Sequence, residues 1–267
     1  SILSADPINY NINVLSIVEY ENDSNNYGVS DVWGYTDEYG NEYAIVGYRY
    51  GTSILDVSTN PSNPIEVANI LGPSNGDYYY HRDYKTFGDY LYIVNEMTGP
   101  DVGMQVVDLS PLPFYAPEQM PTYTNIQQSH NLWIDESGLA FIEHNPGDNI
   151  HISNLNSVPN NPTYSGTFGN LGQNCHDIFT RDNIAYISEG WSHQFGIYDF
   201  SDLNNITHIT TITPFNSGYA HNAWLNDNGT HLITTEETIG KTVKIWDISN
   251  FNNISLAGEY LGENELA

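Results

Sequence analysis

A seven-residue segment recurs five times along the chain, as TSILDVS (52–58), MQVVDLS (104–110), IHISNLN (150–156), FGIYDFS (195–201) and VKIWDIS (243–249). Each has the composition of a β-strand and ends on Asp or Asn. A short polar side chain at that place accepts hydrogen bonds from the amides of the turn that follows. Pro- and Asn-rich punctuation comes next in most copies, as in TNPSNP (59–64) and SVPNNP (157–162), followed by another alternating run such as PIEVANIL (64–71).

A two-strand hairpin precedes each segment. HRDYKTFGDYLYIVNE (81–96), HNLWIDESGLAFIEH (130–144), HDIFTRDNIAYISE (176–189) and HNAWLNDNGTHLITTEE (221–237) share the pattern, and DVWGYTDEYGNEYAIVGY (31–48) is the same unit led by Asp31. Their turns, FGD, DESG, RDN and NDNG, carry the Gly, Asn and Asp that tight connections require. The repeat is therefore strand A, turn, strand B, loop, strand C ending in Asp or Asn, turn, strand D. Leading positions 31, 81, 130, 176 and 221 stand 50, 49, 46 and 45 residues apart.

Four strands in roughly 45–50 residues is the size of a propeller blade. A β-sandwich does not repeat one four-strand unit five times, and no segment shows capped helical periodicity. The expected fold is an all-β propeller filling residues 1–267 as one domain, with blades near 30–71, 80–127, 129–169, 175–213 and 220–262. Residues 11–20, NINVLSIVEY, read as an outer closing strand, because propellers often complete the last blade with a strand from the N-terminus. A complete ring of six blades is favoured over a five-bladed ring with an extra outer strand.

Charge narrows the function. Six Lys and Arg against 33 Asp and Glu give a net charge of −27, which leaves no basic surface for a phosphate backbone and excludes nucleic acid. No apolar run approaches the ~18 residues of a spanning helix. A lone cysteine, Cys175, rules out an internal disulfide framework and is expected to pack between blades. Nucleophile-elbow, phosphate-loop and dinucleotide Gly motifs are absent, as is H-E-x-x-H, so no catalytic residue is assigned.

The sharpest functional signal is polar. Strand A is innermost in a propeller, and strand B runs back antiparallel, so the start of A and the end of B meet at one mouth of the channel. This predicts a rim of His81 with Glu96, His130 with Glu143, His176 with Glu189 and His221 with Glu236, joined by Asp31 from the first blade. Imidazole and carboxylate together suit Zn²⁺ or a similar ion, whereas carboxylates and carbonyls suit Ca²⁺. The same residues also serve a structural network, each His bonding the neighbouring blade. Asp83, Asn131, Asp177 and Asn222, one or two residues beyond the leading His, extend that network. Trp33, Trp133 and Trp224 at matching strand-A positions are expected to pack between blades, and for Tyr78, Tyr79 and Tyr80 ahead of His81 packing is favoured over lining the mouth of a carbohydrate groove.

The ordered series DVWGYTDEYGNEYAIVG, HRDYKTFGDYLYIVNEMTGPDVGMQVVDLS, HNLWIDESGLAFI, HDIFTRDNIAYISE and YAHNAWLNDNGTHLITTEE resembles the blades of the LVIVD-repeat, choice-of-anchor B family of bacterial surface proteins, over nearly the whole chain. The resemblance implies a propeller, six-bladed when complete, exported to the bacterial surface and often anchored by a separate C-terminal signal. Three functions follow as expectations. The first is a binding scaffold for a surface protein or glycan, with Ca²⁺ or Zn²⁺ as the candidate cofactor at the rim. The second is a metal-dependent hydrolase or lyase acting on an extracellular polymer. The third is a subunit of a larger surface assembly.

Overall fold

The computed structural model describes residues 13–20, 28–73, 81–97, 99, 102–144, 149–168 and 175–261. Among them, all regular structure is strand, in five four-stranded antiparallel sheets. The first holds β1 (Val29–Thr36), β2 (Glu42–Tyr48), β3 (Gly51–Asp56) and β4 (Ile65–Leu71) in chain order. The second holds β5 (Arg82–Phe87), β6 (Tyr90–Asn95), β7 (Gln105–Asp108) and β8 (Glu118–Gln119). The third is β9 (Leu132–Ile134), β10 (Leu139–His144), β11 (Asn149–Asn154) and β12 (Thr163–Thr167). The fourth is β13 (Asp177–Arg181), β14 (Ile184–Ser188), β15 (Phe195–Asp199) and β16 (Thr207–Ile212). The fifth is β17 (Ala220–Leu225), β18 (His231–Glu236), β19 (Val243–Asp247) and β20 (Ser255–Tyr260). These are the expected A–D strands of five propeller blades.

The local chemistry behaves as the repeat requires. Gly40, Gly88, Gly138, Asn183 and Gly229 take the left-handed conformation in the five A–B turns. The Asp or Asn closing each C strand accepts the amide two residues on: Ser58 to Asp56, Ser110 to Asp108, Asn156 to Asn154, Ser201 to Asp199 and Ser249 to Asp247, all at 2.8–3.0 Å. One side chain thus fixes the same turn five times.

Pairing register puts equivalent residues of strands A, B and C side by side. Trp33–Ile45–Ile54, Lys85–Tyr92–Val106, Trp133–Phe141–Ile152, Phe179–Tyr186–Ile197 and Trp224–Ile233–Ile245 form one row per blade. Four apolar clusters join the first blade to the second, second to third, third to fourth and fourth to fifth. Cys175 packs in the third of these, as expected. Among the described residues, no such cluster joins the fifth blade to the first.

The row facing that gap is therefore uncovered. Ile54, Val106, Ile152 and Ile197 are 0% exposed, while their equivalent Ile245 is 36% exposed. The receiving face repeats the pattern: Tyr84, Leu132, Ile178 and Ala223 are buried, and Val32 in the same register is 61% exposed. Residues 13–20 run outside all five sheets, so the closing strand expected over 11–20 does not form across the described part; residues 11 and 12 lie outside it. Their one aromatic anchor is Tyr20, stacked on Tyr48 with centroids 5.5 Å apart. Val14, Leu15, Ile17 and Val18 are exposed.

Candidate functional site: the axial channel

The five A strands line one axial channel, and counting back from the row Trp33, Lys85, Trp133, Phe179 and Trp224 resolves it into tiers. Two residues before each stand Asp31, Asp83, Asn131, Asp177 and Asn222. Above these lies the mouth, a cavity of about 390 Å³ lined by His81, His130, His176 and His221.

The four histidines form a ladder across four blades. His81 stacks on His130 with centroids 4.0 Å apart and planes 5° from parallel. His130 Nε2 lies 3.0 Å from His176 Nε2, and His176 lies 4.4 Å, ring to ring, from His221. Proton positions follow from what faces each nitrogen. His130 Nδ1 meets the Glu96 carboxylate, an acceptor, and so donates. His176 Nδ1 donates to the His221 carbonyl at 2.8 Å, which leaves its Nε2 lone pair to accept from His130 Nε2–H. His130 is then an imidazolium and His176 neutral.

Electrostatics agree with that assignment. Burial works against the charged form of His130, but the Glu96 hydrogen bond and the charges of Glu143 and Glu96 outweigh it and raise its pKa. Burial and the neighbouring His130 charge press His176 down to about 4. His81 is lowered by burial and by His130, and His221 by burial against the pull of Glu237.

Two groups of possible ligands result. His81, Glu96 and His130 bring ligand atoms within 4.8 Å of one another, and so do His176, His221 and Glu237. Of the expected rim residues, the four histidines and Glu96 therefore converge, and Glu143 stands near enough to act on His130.

Two do not join the rim. Glu189 points into its own blade, accepting Gln194 Nε2 at 2.6 Å and Tyr198 Oη at 2.8 Å. Glu236 is buried against Lys244 and accepts Ser217 Oγ at 2.9 Å. Side chains alternate along a strand, so the next residue, Glu237, faces the mouth instead, and in the fourth blade that next position is Gly190. Asp31 does line the mouth with the four histidines, reaching it from one tier below them, beside Asp83. Its register equivalents are the Asp and Asn residues, because the first blade places Ser30 where others place His130, His176 and His221.

The second tier holds its charge at a cost. Burial, then the hydrogen bond and charge of Asp83, raise Asp31 to about 7, and burial with the Asp83 charge raises Asp177 to about 6. Asp83 accepts Lys85 Nζ at 3.0 Å and Leu132 N at 2.6 Å, tying the second blade to the third. Asn222 donates to Asp177, tying fifth to fourth. Beneath them Trp33 and Trp133 donate their indole N–H to Thr86 and Thr180 of the next blade. Trp133, Phe179 and Trp224 pack together at 4.4–5.2 Å. The expected inter-blade packing of the tryptophans is met. Tyr78, Tyr79 and Tyr80 lie outside the described residues.

No protein-family model matches the chain, and no curated protein does. Solved structures do. A functionally unknown protein of Desulfotomaculum acetoxidans superposes with a TM-score of 0.66 at 15% identity, over 96% of this chain and 78% of that one. A putative 6-phosphogluconolactonase of Bacteroides uniformis gives 0.65 at 15% identity, over 84% and 70%. The periplasmic gluconolactonase PpgL of Pseudomonas aeruginosa gives 0.63 at 10% identity, over 85% and 69%. At such identities the likeness concerns fold, and with the five radial sheets it makes the chain a β-propeller.

Proposed function

We propose that this chain is an exported, cell-surface propeller of the LVIVD-repeat kind, a scaffold that binds a surface protein or glycan and holds a divalent transition-metal ion at its channel mouth. The observation that carries the metal is the pair of three-residue groups on one rim, joined through His130 and His176. Imidazole nitrogens outnumber carboxylates there, which favours Zn²⁺ over Ca²⁺. The Nε2 atoms of His130 and His176, 3.0 Å apart, are a few tenths of an ångström short of the ~3.3 Å between two nitrogens ~2.05 Å from a tetrahedral ion. A metal would take the place of the shared proton.

The uncovered faces of the first and fifth blades support a sixth four-stranded unit in the complete propeller, since each is half of an interface that already repeats four times.

Elemental analysis after zinc-replete purification tests the metal. About one equivalent is expected, lost in His130→Ala and His176→Ala while circular dichroism stays unchanged. Metal-free wild-type protein would sink the proposal.

A further inference from the structure

Below the histidine mouth, the channel repeats a second chemistry. In each of five sectors an oxygen-bearing side chain (Asp31, Asp83, Asn131, Asp177 or Asn222) stands two residues ahead of an axial position that is aromatic in four blades and Lys85 in the second. Lys85 shows what such a sector holds. Its ammonium sits 4.5 Å from the centroid of the Trp33 ring and 3.0 Å from Asp83 Oδ1, gripped by a π face and a carboxylate together.

The other sectors keep the elements of that arrangement without a lysine. Phe179 and Trp224 follow Asp177 and Asn222, and Trp133 follows Asn131. The Trp133 indole N–H is given to Thr180 and its ring packs on Phe179 and Trp224, so what these rings offer a ligand is the surface that still lines the cavity. Three acidic side chains, Asp31, Asp83 and Asp177, line the channel with one ammonium, Lys85, which pairs with Asp83. The cavity they share with the aromatic rings is about 230 Å³, room for roughly seven waters at ~30 Å³ each and hence for a cation of a few heavy atoms.

We propose that the axial channel binds a small organic ammonium ion between the aromatic tier and the Asp/Asn tier. Ring quadrupoles attract a cation most strongly where water is excluded, and the carboxylates add directional charge. A molecule of charge −27 also concentrates cations at its surface before they enter.

Titration calorimetry and tryptophan fluorescence on chelator-treated protein keep this separate from any metal at the mouth. Choline is the probe, and its uncharged carbon analogue 3,3-dimethyl-1-butanol is the control of equal shape. Choline is expected to bind saturably at one site and to perturb tryptophan emission, with the alcohol at least tenfold weaker. Trp224→Ala should weaken choline by about fivefold or more and Trp224→Phe by much less, as a cation–π contact requires. Lys85→Met, which removes the tethered ammonium, should tighten it by about fivefold. Equal binding of the alcohol would overturn the proposal, as would unchanged affinity in Trp224→Ala. So would the absence of saturation in both the wild type and Lys85→Met.

Discussion

Asp56, Asp199 and Asp247 close equivalent C strands, and each carboxyl titrates below the usual carboxylate range. At Asp56 burial pulls the other way, but hydrogen bonds from Thr59 and Ser58 prevail. At Asp199 and Asp247 the bonds from Ser201 and Ser249 are the main cause. A folded pKa below the unfolded value of ~3.9 contributes stability that is present above that pH and lost as pH falls through the folded value. Asn154 makes the same turn without a charge. Replacing all three Asp residues by Asn should therefore leave the melting temperature at pH 7 within a few degrees and make its fall below pH 4 shallower. An unchanged acid limb would count against these turns as its source. The role of this residue was legible in the sequence, because an Asx turn is local and needs only its own next two residues. Glu236 and Glu189 were not. Placing them at the rim assumed where strand B ends, and a shift of one residue reverses the face a side chain takes. Asp31 does line the mouth, but its step below the histidines is set by pairing Trp33 with Ile45, which the first residue of the hairpin does not reveal.

At the scale of the element, five rows of like sequence have unlike surroundings. Ile54 and Ile197 lie wholly inside apolar clusters, whereas Ile245 has its own blade behind it and solvent in front. Truncating a buried Ile to Ala costs about 2–5 kcal/mol through lost transfer energy and the cavity left behind. Ile54→Ala and Ile197→Ala should fall in that range, and Ile245→Ala should cost about 1 kcal/mol or less, measured by urea denaturation of this chain. Equal losses at all three positions would mean that the face of the fifth blade is covered in solution. Strand and turn positions were readable from alternation and from Gly, Asn and Asp. The exposure of Ile245 was not, since burial of a row depends on the neighbouring blade rather than on the row itself.

At the scale of the whole molecule, the described blades form a series joined by four interfaces, and the first and last each have one neighbour. A closed ring resists loss of any one blade, because that blade is held on both sides. A series with two ends resembles a short repeat array, whose stability is a sum of units and of contacts between nearest neighbours. Its terminal members can detach singly, at the cost of one interface rather than two. Amides of β18 and β19 should therefore exchange with deuterium sooner than those of β10, β11 and β14, in the order of distance from the gap. Heating should show the same thing as broadened melting, with a calorimetric enthalpy larger than the van't Hoff value, since intermediates with frayed ends break two-state behaviour. A form of the protein that carries one further repeat, seated between Ile245 and Val32, should bring the two enthalpies together and slow the exchange of the fifth blade to the rate of its neighbours.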